Sequence, residues 1–319
     1  MALSNPVRAN LRAHLQHRHL RQAGLACPRQ GGARTGMEQK TGAKQGEWVR
    51  RHRLITRIWH GVNAGCLAIL LMSGLMIFNA HPRLYWGEFG ANDDAAWAEI
   101  GAVNDAAGAL RGGLRVGEWY FDTTGVLGAS RGGDGAWTAI AFPGWATIPA
   151  TYDLAKARAW HLAFALALSF GLAGFLAISL INGHVRRDLH MTRSEWRVRH
   201  IWDDVVAHVH LRFPKGPAAA RYGVLQKLAY CGVLFGLLPL MIFTGMAMAP
   251  GMDAGWPWLT EVFGGRQSAR SVHFLAMLGL VGFFGVHMAM VLLSGAGNQM
   301  RAMVTGWYRL PPEAQEEEA

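Results

Sequence analysis

His273 and His287 lie fourteen residues apart inside one apolar run, SVHFLAMLGLVGFFGVHMAMVLLSGAG. Fourteen residues of α-helix advance about 1400°, roughly 40° short of four turns, so both imidazoles share one face. They stand about 21 Å apart along the axis, most of a hydrocarbon core about 30 Å thick. His60 and His161 sit near the ends of two other apolar runs. Ionisable side chains inside a membrane are costly and usually functional, and imidazole is a common axial ligand of haem iron. Four histidines at two depths suggest two bis-histidine haems stacked across a membrane.

Depth sets the pairing. His60 is near the start of the first run and His287 near the end of the fourth, which must run the opposite way. His161 and His273 both stand near the starts of their runs, at the other surface. The expected pairs are His60–His287 around an inner haem and His161–His273 around an outer one. A His60–His161 pair would have to bridge more than about 15 Å of depth, which one iron cannot do. A single intramembrane histidine is more simply read as an interhelical hydrogen bond, but four that pair by depth reverse that preference. Met72, Met76, Met246, Met277, Met288 and Met290 could also bind haem iron. Methionine in a helix is usually core filler, and the depth match favours histidine.

The elements that must carry these residues are four stretches able to span a bilayer, about Ile55–Ala80, Trp160–Ile181, Val224–Ala249 and Ser271–Gly295. The chain is 51% hydrophobic and 16% charged, with a positive mean hydropathy. This predicts an all-α membrane protein, one bundle of four transmembrane helices, with a large insertion between helices 1 and 2. Gly61, Gly65 and Gly74 remove bulk from the first helix, for another helix or for a flat macrocycle. Pro239 should kink the third.

The net charge of +10 is placed at particular loops. Arginine and lysine crowd the N-terminus up to Arg57 and the loop at about 183–222, while residues 81–153 hold nine carboxylates against four arginines. By the positive-inside rule both termini and the 183–222 loop are cytoplasmic, and the insertion at about 81–158 is extracytoplasmic. Basic loops in this arrangement orient the bundle and do not indicate nucleic acid. The insertion, with Trp86, Trp97, Trp119, Trp137 and Trp145, should hold short helices and irregular structure at the outer surface. Its length suggests docking rather than mere connection.

Residues 1–46 read as a disordered basic tail with no signal-peptide h-region, and Met37 offers a natural shorter start. Residues 47–300 form the membrane domain and 301–319 a C-terminal tail ending in EAQEEEA. Cys27, Cys66 and Cys231 make no framework. No Cys-x-x-Cys-His or cysteine cluster indicates covalent haem or an iron–sulfur centre. His208-Val-His210 lacks the supporting ligands of a metal site. His184 and Arg186, near the inner haem's depth, could contact a propionate or a quinone headgroup.

The runs RHRLITRIWHGVNAGCLAILLMSGLMIFNAHPRLYWGEFG, FPGWATIPATYDLAKARAWHLAFALALSFGLAGFLAISLINGHVRRDL and QKLAYCGVLFGLLPLMIFTGMAMAP, with the helix of His273 and His287, resemble the cytochrome b-561/nickel–iron hydrogenase b-type superfamily. Within it the chain is most similar to the thiosulfate reductase cytochrome b subunit group. It is also similar to the formate dehydrogenase gamma subunit, whose fourth helix carries two haem histidines at the same spacing. The resemblance covers about residues 47–300 and implies a four-helix di-haem cytochrome b in the bacterial inner membrane. Such a subunit holds two non-covalent b haems and exchanges electrons between the quinone pool and an extracytoplasmic redox partner, often a molybdopterin oxidoreductase. Quinone exchange is expected at the inner haem, beside Arg57, Asn63, His184 and Arg186. Two other readings remain open: a stand-alone membrane oxidoreductase acting on superoxide or ferric chelates, and a non-redox membrane anchor. The long tryptophan-rich insertion departs from the short loops of hydrogenase-type members.

Overall fold

The structure is a computed structural model and describes residues 46–183, 190–192, 195–212 and 223–310. Apart from Gly46, the basic segment expected over 1–46 lies outside the described residues, as does the acidic run after Leu310.

A short strand β1 (Trp48–Arg50) leads into helix α1 (Leu54–Phe78). Six strands follow: β2 (Arg83–Leu84), β3 (Ala98–Asn104), β4 (Leu110–Val116), β5 (Trp119–Asp122), β6 (Ala129–Arg131) and β7 (Trp137–Ala139). The chain continues through α2 (Leu154–Ile181), α3 (Val198–Val209), α4 (Val224–Met248), the short α5 (Pro250–Gly255) and α6 (Pro257–Val262), α7 (Arg266–Leu293), α8 (Ala296–Thr305) and β8 (Trp307–Arg309).

Helices α1, α2, α4 and α7 are long and apolar enough to cross a membrane. Each satisfies its own backbone groups, which a bilayer demands of anything that spans it. Two start earlier than hydropathy alone indicates. Helix α2 begins at Leu154 because Asp153 caps it, its carboxylate accepting the Lys156 N–H at 2.9 Å. Helix α7 begins at Arg266, with a polar first turn. The distortion expected at Pro239 takes the form of a π-turn over Gly232–Leu237. Proline has no N–H for the carbonyl a turn behind it, and one wider turn absorbs the defect without breaking the helix.

Helix α1 packs along α2, and α4 along α7, whereas neither α1 nor α2 makes an extended backbone contact with α7. The two pairs meet through side chains at mid-depth, where Cys66, Leu168, Leu172 and Leu238 are buried with Leu67, Leu70, Phe164 and Leu280 around them. Leu280 lies seven residues from both His273 and His287, and Leu67 seven residues after His60. Two helical turns place each leucine on its histidine's face, so an apolar layer separates the two histidine levels.

The segment between α1 and α2 corrects the expectation of short helices and irregular structure. It folds as a four-stranded antiparallel sheet, β2-β3-β4-β5, with a second hairpin of β6 and β7. The pattern was in the residues: Ala98 and Ile100 alternate inward along β3, joining Leu84, Ala141 and Phe78 in one buried cluster. Asp105 closes the β3–β4 turn by accepting the N–H groups of Ala107 and Ala109. The sheet is fixed to the helices at several points. Asn79 and Phe142 exchange two hydrogen bonds, of 3.0 and 2.7 Å. Trp97 Nε1 donates to Ser271 Oγ at 3.0 Å, and the Gly87 N–H donates to Ser268 Oγ at 2.7 Å. Gly265, with φ +109°, lets the start of α7 meet Gly87, where a Cβ would come within 2.6 Å of the Gly87 carbonyl.

The C-terminal tail read from residue 301 is also corrected as far as Arg309. α8 spans Ala296–Thr305, and β8 pairs antiparallel with β1, Val49 opposite Tyr308. Both strands are three residues long, too short for a sequence pattern. Arg51 over the Tyr308 ring and Arg301 over Trp48 add cation–π contacts at 4.5 and 5.2 Å.

In the sheet, Glu99 stands directly opposite both Arg83 and Arg115 and bonds them at 2.7 and 3.0 Å. Burial alone would raise its carboxyl pKa, but the hydrogen bonds and charges of the two arginines outweigh it and hold the group below the usual glutamate range. A depressed folded value stabilises the sheet above the unfolded pKa, and that contribution is lost as pH falls through the folded one. Glu99→Gln is therefore expected to speed amide exchange in β2–β4 at neutral pH and to remove part of the sheet's acid sensitivity. Hydrogen exchange followed against pH measures both, and an unchanged pH profile would show that Glu99 carries no such linkage.

Candidate functional site

The structure brings the four histidines together as two pairs. The rings of His60 on α1 and His287 on α7 have centroids 6.3 Å apart, and those of His161 on α2 and His273 on α7 are also 6.3 Å apart. Two metal–imidazole bonds of about 2.0–2.1 Å, with about 1.1 Å from each nitrogen to its ring centre, give a separation of about 6.2–6.4 Å. Both pairs therefore fit one metal ion held between two imidazoles. Among the described residues no group of three or more His, Cys, Asp or Glu could hold a metal, so further equatorial ligands would have to come from a cofactor.

The His161–His273 pair is tightly oriented. Ser73 Oγ lies 3.1 Å from His161 Nδ1, and Thr244 Oγ1 lies 2.8 Å from His273 Nδ1. Each hydroxyl has one proton, and each has a helical carbonyl to give it to: Ile69 at 2.7 Å and Leu240 at 2.6 Å. The hydroxyls therefore accept from the rings, which puts the proton on Nδ1 and the lone pair on Nε2. This is the outer-shell arrangement that orients metal-binding imidazoles. Glycine follows each hydroxyl residue. A Cβ on Gly74 would meet His161 Cε1 at 3.2 Å, and one on Gly245 would meet His273 Cε1 at 3.6 Å. Ser73-Gly74 and Thr244-Gly245 thus form matched cradles on opposite sides of the pair. Sequence reasoning missed Ser73 and Thr244. The signal was a hydroxyl–glycine dipeptide in two apolar spans, one of them fourteen residues beyond His60 at Gly74.

The His60–His287 pair is looser. Among the described residues neither ring has a hydrogen bond, His60 is exposed, and Phe283 stacks on His287 at 5.8 Å. On the same helices Gly61, Gly65, Gly282 and Gly285 have nothing within 4 Å of an added Cβ, and helical spacing turns them about 100–160° away from the histidines. Asn63, one turn from His60, has a buried Oδ1 with no hydrogen-bond partner. Such an orphan costs about 1–3 kcal/mol unless a ligand or water satisfies it. Arg57, one of the expected ligand residues, is engaged within the protein. Its Nε donates to the Met303 carbonyl at 3.1 Å and its Nη2 to that of Val304, so its charge caps the C-terminus of α8. His184 and Arg186 lie outside the described residues. Close by, burial and then the charges of Arg51, His60 and Arg57 push His52 down to about 4, so it is neutral at physiological pH. Farther along, His208 and His210 turn Nδ1 to the Asp204 and Val206 carbonyls, each four residues back.

The family model for prokaryotic cytochrome b561 matches residues 51–306. The chain is 36% identical over 87 residues to YedZ1 of Azospira oryzae, described as a subunit of a protein-methionine-sulfoxide reductase, covering 27% of this chain and 41% of that one. It is 29% identical over 144 residues to the cytochrome YdhU of Escherichia coli, covering 43% of this chain and 52% of that one. The matched stretches thus span about half or less of these relatives. No solved structure matches.

Thr244→Val keeps the side-chain shape and removes the acceptor for His273 Nδ1–H. It is expected to weaken the tautomer preference of that ring in nitrogen NMR of the cofactor-free protein. It should also weaken binding of a metal cofactor by roughly 10–100-fold. Unchanged tautomer populations would show that the hydroxyl does not orient the ring.

Proposed function

Because this chain belongs to the prokaryotic cytochrome b561 family, and is thus a multi-pass membrane b-type cytochrome of electron transfer, we propose that it binds two b haems and passes electrons between the quinone pool and an extracytoplasmic redox partner. The observation that carries this reading is the pair of matched ring separations, each 6.3 Å, at two levels of one bundle. Bound haem b supplies a one-electron iron couple. The protein's own contribution is to hold, orient and insulate. His60 and His287 would grip one haem and His161 and His273 the other, through Nε2. Ser73 and Thr244 fix the second pair of rings. Leu67 and Leu280 keep water out of the layer between, so that charge crosses a dry, low-dielectric gap.

The His60 end suits quinone exchange. It is the looser end, and the unmet acceptor of Asn63 suits the O–H of a quinol. Two basic segments, up to Arg57 and over 183–222, support placing this end and both termini in the cytoplasm of a bacterial cell. The sheet then lies outside and offers a docking face. β5 exposes Trp119, Tyr120 and Phe121, and large aromatic side chains are the usual anchors of protein contacts. Likeness to YedZ1, named as a reductase subunit, supports a catalytic partner. The resemblance to thiosulfate reductase subunits favours a molybdopterin-dependent oxidoreductase.

The test is genetic and spectroscopic. His60→Ala and His287→Ala are each expected to remove the same redox centre, and His161→Ala and His273→Ala the other. Quinol should still reduce the centre that remains in the second pair of variants. Potentiometric titration of the four variants reads this directly. If His60→Ala and His273→Ala removed the same centre, the pairing would be wrong.

A further inference from the structure

Three polar side chains gather where α1 ends and α7 begins, and the protein leaves them incompletely satisfied. Arg270 donates from Nη2 to the His81 carbonyl and lies over the Phe78 ring, its guanidinium carbon 5.4 Å from the centroid. Among the described residues no carboxylate lies within ion-pair distance of it. The nearby Glu99 is already bound by Arg83 and Arg115. His81 stacks on Tyr85 at 5.7 Å, yet its Nε2 is buried without a hydrogen-bond partner. Gln267, one turn before Arg270, has a buried Oε1 in the same condition. A half-buried guanidinium with a carbonyl and an aromatic ring for company, beside an unmet imidazole nitrogen, lacks a negative partner among the described residues.

The position of the cluster identifies that partner. Arg270 precedes His273 by three residues, about 4.5 Å along α7. His81 follows Gly74, which touches His161, by seven residues, about 10 Å if the helical rise is carried on. Both therefore lie just beyond the His161–His273 rings, on the side of the sheet. A haem held by these two rings would lie between α2 and α7, and an edge of it turned toward the sheet would come near Arg270. Carboxylates on such an edge would extend toward Arg270.

We propose that Arg270, assisted by His81, binds a propionate carboxylate of the haem held by His161 and His273, and so sets that haem's potential. The inference rests on the two-haem reading above. A guanidinium on the propionate offsets negative charge near the iron and favours the reduced state. An acetate-like anion from solution would offer the same carboxylate chemistry, so the test must separate the two sources.

The experiment uses the purified full-length holoprotein, wild type, Arg270→Gln, Arg270→Lys and His81→Phe. In Arg270→Gln the midpoint of the centre that His161→Ala removes is expected to fall by about 59 mV, a tenfold shift of its oxidised-to-reduced ratio for a one-electron couple. The other centre should not move. The propionate-bending band of the same haem in resonance Raman spectra should shift in Arg270→Gln and be largely kept in Arg270→Lys. Adding acetate at constant ionic strength should leave the wild-type midpoint unchanged. An unmoved band, even with a lower midpoint, overturns the proposal, because the charge then acts only through space. A wild-type midpoint that follows acetate concentration also overturns it, in favour of a solution anion. If Arg270→Gln fails to assemble, His81→Phe decides: a band shifted there supports the contact, and an unmoved band sinks it. A wild type with only one haem overturns the two-haem reading and this site with it, whereas two haems and an unmoved band overturn this site alone.

Discussion

The constraint on which the fold depends is that two imidazoles must face each other across 6.3 Å inside an apolar bundle, and must do so twice. Rings on adjacent close-packed helices would leave no room for anything between them. The bundle meets the requirement by pairing α1 with α2 and α4 with α7, while keeping the first pair off α7 except through side chains. Gly74 and Gly245, where a Cβ would come within 3.2 and 3.6 Å of the rings of His161 and His273, leave room for those rings. The shared leucine layer of Leu67 and Leu280 closes the middle, so the bundle is packed where no ring needs room.

The two levels are built differently. At the His161–His273 level two hydroxyls fix the tautomer, and the sheet, through Trp97–Ser271 and Asn79–Phe142, holds the helix ends in register. At the His60–His287 level no hydrogen bond holds either ring among the described residues, and β1 and β8 close the chain ends nearby. A rigid site disfavours rearrangement around the metal, and an open one admits an exchangeable molecule. In the proposed function these are the demands of an electron relay facing a docked protein and of a site that trades electrons with a diffusing quinone. Arg57, bonded to carbonyls at the end of α8, takes part in the closure of that end.

Much of this was legible because spacing in a helix is geometry. The fourteen residues between His273 and His287 fix their shared face and separation, and apolar length fixes the spans. The sheet was legible in principle, through the alternation of Ala98 and Ile100 and the Asp105 turn, but glycine and tryptophan content hid a period-two signal spread over short strands. Ser73 and Thr244 were missed because a hydroxyl in an apolar helix ordinarily bonds its own backbone. Only the third dimension shows that the same oxygen also accepts from a ring on another helix. Arg270 was missed for a related reason: at the start of a span an arginine is ordinarily taken to reach solvent, and here Phe78 and His81 cover it. The β1–β8 pair joins residues more than 250 apart through strands of three residues, which no local pattern encodes.

The central claim is that four histidines hold two non-covalent b haems in one chain. A pyridine haemochrome assay on the purified full-length protein, set against quantitative amino-acid analysis, tests it most directly. The account requires two extractable b haems per chain, and one haem or none per chain would contradict it.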